Sequence, residues 1–400
     1  MKNLKTRLLS VSMILVFMLP IFPTNIKPLV IGFLGVIVLA HTDFQNINFN
    51  IKYFLISVSV YFFLIISLIY SDNVGYGLKK LETMSSLLVF PFIFSILSKD
   101  VVYFIRKNKQ LYLWVFILTV LTLNIGFFCY HILHYKSTIF VHYVTVTRIA
   151  QGGFNIHPIY LSMHISVAIL FSFFIIKNET KKRNIYTLLI IDVVLLIFLL
   201  MLLKKGPIIG LTITSIVFVL LNKSKKIWSL GLAFVMMLSI AIFNITEAKK
   251  KFSELIKIQT VQEGGFTSTN VRFSIYNYAI DIVKEAPLFG QGIGDYNDKL
   301  IHSFKIKAPE LYSKKYNAHN QFLSFLLSIG FVGLGLFILA LIYYFKNAIV
   351  YDNKIVLCLM LFYIIVMASE NILEREDGVI FFSFFMGVLP ILFNKSLTNK

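Results

Sequence analysis

The chain has 400 residues, 58% of them hydrophobic and only 14% charged, against roughly 25% charged in an ordinary soluble domain. Together with a mean hydropathy of +0.79, this excludes a soluble domain. The formal net charge of +19 would point to nucleic acid in a soluble protein; here it falls mostly in loops beside apolar runs and reads as a topology signal, with no nucleic-acid partner. Cys129 and Cys358 each lie inside an apolar run, which leaves neither a disulfide framework nor a thiolate metal site.

A helix needs about 20 apolar residues to cross a bilayer, and backbone groups in lipid must pair locally, so recurring runs of that kind are helices. The sequence predicts an all-α polytopic membrane protein with about 12 transmembrane helices: 8–24, 28–41, 52–70, 81–98, 111–135, 158–177, 185–203, 206–222, 227–245, 319–345, 355–370 and 378–394. One large, partly helical loop divides it into 1–245, 246–318 and 319–400. The first run carries the basic start Lys2, Lys5 and Arg7, but no small-residue cleavage site follows Pro23 and Thr24, so it is read as a span and not a signal peptide.

Basic residues in short loops stay cytoplasmic. With the N-terminus inside, the inner segments, including the tail 395–400, hold about 19 of them. The outer short loops hold about 8, among them Lys136 and Arg148. Both termini are therefore expected in the cytoplasm and 246–318 outside. Lys204 and Lys205 break this pattern in a minimal turn on the outer side. Either the span count slips by one there, or two ammonium groups are held outside for a purpose such as binding an anion.

Most of the chemistry-capable residues lie in 246–318, and a loop that long is usually functional or disordered. Ser268, Thr269 and Asn270 are good cap residues, and Val271 to Glu285 lines up Ile275, Tyr276, Ala279, Ile280 and Val283 on one helical face before Pro287 stops it. Such an amphipathic helix is expected on the membrane surface or against the bundle. Arg272 falls in its first turn, where guanidinium and unpaired N–H groups would converge on a phosphate oxygen; the bland reading is a solvated arginine. Gly290, Gly292 and Gly294 follow, with no preceding strand and no phosphate-loop lysine. They read as a tight turn that packs the loop back on the membrane part.

His319 stands where the loop runs into the tenth predicted span, in Asn317-Ala318-His319-Asn320-Gln321. A helix N-terminus disfavours imidazolium, and neutral imidazole can take a proton from a sugar hydroxyl. A histidine that merely caps the helix fits the sequence equally. His157 opens the sixth span, and Glu370, Glu374, Arg375, Glu376 and Asp377 crowd the last outer loop, where the acids could pair with Lys204, Lys205 or Arg272. No metal spacing is visible among the eight histidines, so neither metal nor cofactor is expected.

Three segments carry a family likeness: Arg272 and its helix with Pro287-Leu-Phe-Gly290-Gln-Gly292-Ile-Gly294, His319-Asn320-Gln321-Phe-Leu323 with Gly330-Phe-Val-Gly333-Leu334, and Leu203-Lys204-Lys205-Gly206-Pro207. In these the chain resembles the O-antigen ligase and polymerase family, which moves glycans from a polyprenyl (undecaprenyl) diphosphate carrier to an acceptor on the outer face of the bacterial cytoplasmic membrane. The resemblance implies an inverting, metal-independent glycosyltransferase of surface polysaccharide or lipopolysaccharide biosynthesis. Its partners would be the lipid-linked glycan, a glycan or lipid-core acceptor and membrane lipids. It also implies that Arg272 binds the diphosphate, with Lys204 and Lys205 beside it, and that His319 acts on the acceptor hydroxyl, with His157, Asn320, Glu370 and Arg375 as possible support. The family usually shows Ser-Arg where this chain has Lys204-Lys205; lysine keeps the charge but lacks the bidentate fork. Within the family the chain reads as a ligase or as a repeat-unit polymerase. The rival from another class is a polysaccharide or lipid transporter, against which few intramembrane charges and no inverted repeat are visible.

Overall fold

The computed structural model describes residues 2–42, 49–135, 143–144, 147 and 156–393. Lys136, Arg148 and the tail 395–400, which entered the charge count, lie outside the described residues.

The described chain forms α1 (Lys2–Phe17), α2 (Lys27–His41), α3 (Ile51–Ser67), α4 (Val74–Met84), α5 (Ser86–Ser95), α6 (Lys99–Lys107), α7 (Lys109–Tyr135), α8 (Pro158–Asn178), α9 (Lys182–Leu202), α10 (Lys205–Leu220) and α11 (Lys225–Asn244). Five helices follow, α12 (Thr246–Ser253), α13 (Val261–Gly264), α14 (Ser268–Glu285), α15 (Tyr296–Lys307) and α16 (Pro309–Tyr312). The last three are α17 (Gln321–Val350), α18 (Lys354–Met367) and α19 (Glu376–Phe393).

Each of the twelve apolar runs contains helix, but among the described residues length and composition qualify seven helices as membrane spans, or eight with one bent pair. The bent pair replaces the expected span 81–98: α4 and α5 form one arm, and α6 leaves it at 105°. α6 turns because its sequence, KDVVYFIRK, alternates charge with a narrow apolar face and cannot continue through lipid. α2, α10 and α18 are apolar but have 15, 16 and 14 residues. α1, with 16 residues, begins with Lys2, Lys5 and Arg7.

α8 lies at the centre, packed by α7, α9, α10, α11 and α18. Its sequence is apolar all round, which is the pattern of a helix with no solvent face. Ser162 and Ser166 satisfy their hydroxyls on carbonyls of α8 itself, each at 2.8 Å, and so let neighbours approach closely.

One irregularity positions everything that follows. α17 breaks at Gly330, whose φ of 63° and ψ of −165° are not helical. The Pro287–Gly292 strip fills the break: Phe331 and Val332 N–H donate to the Pro287 and Leu288 carbonyls at 2.9 and 3.1 Å. Gln291 and Gly292 N–H donate to Leu327 and Ser328 at 2.8 and 2.9 Å. Backbone groups that the break would strand in an apolar setting are thus paired across the two segments. A Cβ at 330 would lie 2.3 Å from the Leu288 carbonyl oxygen, and one at 290 would lie 2.6 Å from the Gly330 nitrogen, so both must be glycine. The strip then anchors on the other side, where the Asp295 carboxylate accepts Asp72 and Asn73 N–H at 2.7 and 2.8 Å. The glycines therefore act as a docking turn. Gly330→Ala should cost at least about 3 kcal/mol, combining a left-handed backbone with a clash against backbone that cannot move aside. A melting temperature in detergent within a degree or two of wild type would contradict this.

Candidate functional site

α14 starts at Ser268, with the Thr267 hydroxyl accepting Asn270 N–H at 3.1 Å. The cap is thus Thr267, one residue before the three expected, and Arg272 falls in the second turn instead of the first. Its guanidinium does not share the helix's unpaired N–H groups. It reaches across to the end of α18, where Nε donates to the Ser369 carbonyl at 3.0 Å and Nη2 to Glu370 Oε1 at 2.6 Å. Nη1 donates to the Ser268 carbonyl at 3.4 Å.

His319 occupies a left-handed backbone position, φ 45°, immediately before the cap of α17. Asn320 is that cap: its Oδ1 accepts Leu323 N–H at 3.1 Å, its Nδ2 donates to the Ala368 carbonyl at 3.2 Å, and its own N–H donates to Asn371 Oδ1 at 2.6 Å. Tyr276 on α14 reaches the carbonyls of His319 and Ala368, both at 3.1 Å. Burial raises the pKa of its phenol, which keeps it a donor. The imidazole is thereby aimed at Glu370, with Nδ1 3.2 Å from Oε2. One carboxylate thus joins Arg272 through one oxygen and His319 through the other. Burial pushes the Glu370 carboxyl up, but His319 and Arg272 outweigh it and hold it below the usual carboxylate range.

Lys205 opens α10 and is nine-tenths buried. Its ammonium donates to Glu254 Oε2 at 2.8 Å and to Thr269 Oγ at 2.6 Å, and lies within electrostatic reach of Arg272 and Lys251. Of the acids 370–377, Glu370 takes Arg272 as the sequence allowed, whereas Lys205 takes Glu254 from the 246–318 segment. Lys204 is the cap residue before α10. Gly206 lies against Ser369, so α10 and the end of α18 approach closely where the two cations stand.

His157 and Arg375 are used differently. His157 caps α8, Nδ1 accepting Ile159 N–H at 3.4 Å, with its ring 6.0 Å from that of Tyr160. Arg375 has an exposed side chain, and its carbonyl accepts Gly378 and Val379 N–H at 3.0 Å to start α19. Among the described contacts neither bonds to Arg272, Lys205 or His319.

Sequence reasoning did not assign Glu254, Tyr276 or the network around Glu374. That carboxylate is buried and accepts from Lys80 at 2.8 Å, Tyr296 at 2.6 Å, Asn371 at 3.0 Å and Ser324. Asn371 also binds Asn320, so the network braces the turn that carries His319. Burial pushes the Glu374 carboxyl up, but Lys80, Ser324 and Tyr296 hold it below its ordinary value. A depressed carboxylate contributes stability above its unfolded pKa and loses it as pH falls through the lower folded value. Glu374→Gln strands Lys80, so the variant should lose about 3–5 kcal/mol at neutral pH. Its thermal stability should also fall less steeply than that of wild type on acidification; parallel curves would contradict the role.

Among the described residues, no group of three or more His, Cys, Asp or Glu side chains is arranged to hold a metal ion. The set can do two things: present Arg272 and Lys205 to an anion, and present an imidazole whose Nδ1 is engaged, so that Nε2 faces whatever lies beside it.

Residues 190–338 match a family model described as O-antigen ligase. An uncharacterized protein of Haemophilus influenzae is 30% identical over 129 residues, covering 29% of this chain and 32% of its own length. The chain thus spans about a third of that relative. The family match takes in Lys204, Lys205, Arg272 and His319 but ends before Glu370.

Proposed function

We propose, from the match of residues 190–338 to the O-antigen ligase family model, that the chain is a glycosyltransferase of surface-polysaccharide assembly. It moves a saccharide from a polyprenyl diphosphate to an acceptor hydroxyl on the outer face of the bacterial cytoplasmic membrane. The observation that supports this is Glu370 joining the guanidinium of Arg272 to the imidazole of His319. A leaving diphosphate needs arranged cations, and an attacking hydroxyl needs a base.

The acceptor oxygen attacks the anomeric carbon from the face opposite the carrier, the bond to the diphosphate breaks, and its electron pair leaves with the phosphate. Inversion follows from that geometry. His319, with Nδ1–H on Glu370, takes the hydroxyl proton at Nε2. Arg272 and Lys205, with Lys204 beside them, hold the growing charge. No metal is part of this scheme.

Transfer from a purified lipid-linked glycan should persist in excess chelator and give the inverted anomer. A retained anomer, or activity that returns only with magnesium or manganese, would overturn those parts. Deleting the gene and running surface polysaccharide on a gel separates the two family readings. Loss of long chains on the lipid core marks a ligase, a single-repeat product marks a polymerase, and an unchanged pattern overturns the function.

The reading needs residues 1–245 and 319–400 in the membrane and 246–318 outside, with both termini cytoplasmic. In a background without the exposed Cys129, a cysteine at 284 should react with an impermeant thiol reagent from outside, and one at position 2 should not. Labelling of position 284 only from the cytoplasmic side would reverse the orientation.

A further inference from the structure

Both cations of the site are already held by carboxylates of the protein. Arg272 Nη2 is 2.6 Å from Glu370 Oε1, and Lys205 Nζ is 2.8 Å from Glu254 Oε2. Ser268 links the two pairs, its hydroxyl donating to Glu254 Oε2 at 3.2 Å and its carbonyl accepting from Arg272 at 3.4 Å. The like charges of Lys205 and Arg272 feel one another. Two neighbouring cations in a poorly hydrated place repel unless anions lie between them.

Resting on the reading above, we infer that Glu254 and Glu370 compete with the carrier's two phosphoryl groups, so that carrier binding is an exchange of anions. Glu370 is thereby a positioning residue that gives up Arg272 to the diphosphate while keeping its other oxygen on His319. A phosphoryl oxygen that takes Nη2 of Arg272 must displace Oε1 of Glu370. Oε2 remains on Nδ1 of His319. The carboxylate then serves His319 alone, and the imidazole is oriented and its tautomer fixed when a leaving group is in place. Glu254 has no such second partner among the ring nitrogens, so its part is competition only. The groups that face Glu370 are Arg272 from α14, His319 from the turn before α17, and the phenols of Tyr276 and Tyr160 within electrostatic reach.

The test uses the full chain in nanodiscs with glycan-free polyprenyl diphosphate as the binding probe, and the lipid-linked glycan for turnover. E254Q and E370Q should each bind the probe about five-fold tighter or more, because a competing anion is gone. E370Q should also lose about ten-fold or more in kcat, and Glu370→Asp should recover part of it. Carboxylates that only hold the cations in place would give the opposite, weaker binding in both variants, and unchanged affinity in both likewise overturns the exchange. If E370Q does not fold, E254Q alone decides, since Glu254 is partly exposed. Failure of wild type to bind the probe overturns the functional reading itself, and is distinct from binding that the variants leave unaltered.

Discussion

His319→Ala is expected to lose about 10²-fold or more of its turnover while polyprenyl diphosphate still binds. The imidazole is not a ligand of the cations; it meets Arg272 through Glu370, while Lys205 is paired with Glu254. Its removal takes away the acceptor for the hydroxyl proton and leaves Arg272 with its Ser369, Ser268 and Glu370 partners. The left-handed backbone at 319 tolerates alanine less well than histidine, so the melting temperature is measured beside the rate. His319→Asn keeps a residue at home in that conformation and still lacks the base. Both variants should retain diphosphate affinity within a few-fold. A folded His319→Asn protein with near-normal turnover would remove the histidine from the mechanism.

Arg272→Ala should lose affinity and rate together, because one contact holds the diphosphate in the ground state and stabilises it as it leaves. Alanine also strands Glu370, which is largely buried, and that alone can cost about 3–5 kcal/mol of stability. Arg272→Lys separates the effects. Lysine keeps the charge beside Glu370, so the fold should hold, but one ammonium cannot reach Ser369 and also grip a phosphate through two parallel bonds. Binding of the lipid-linked glycan should return in part and kcat less. Recovery of both to wild-type values would show that Arg272 supplies charge alone.

Composition and periodicity were sufficient for the all-helical class of the described residues, for a helix within each apolar run, and for the helix that ends before Pro287. They work because lipid removes every alternative to local backbone pairing. They did not determine how many of those helices cross. α6 turns away at 105°, and three apolar helices have 14 to 16 residues. Helix ends are set by caps and by packing partners remote in sequence.

The docking role of Gly290 was legible, because glycine in a turn with no strand or phosphate lysine has few other uses. That the turn would fill a break at Gly330 was not, since the bonds join residues of two separate elements. In the site, Arg272 and His319 were visible as residue types at helix starts and through the family likeness. Glu370 was one of several acids that could pair with Arg272, without a way to choose among them, and Glu254 was not assigned at all. Each carboxylate lies far along the chain from the cation it meets, in segments crowded with other charges. Charge pairing is a property of distance in space: the end of α12 meets the start of α10 to bring Glu254 to Lys205, and α14 meets the end of α18 to bring Arg272 to Glu370.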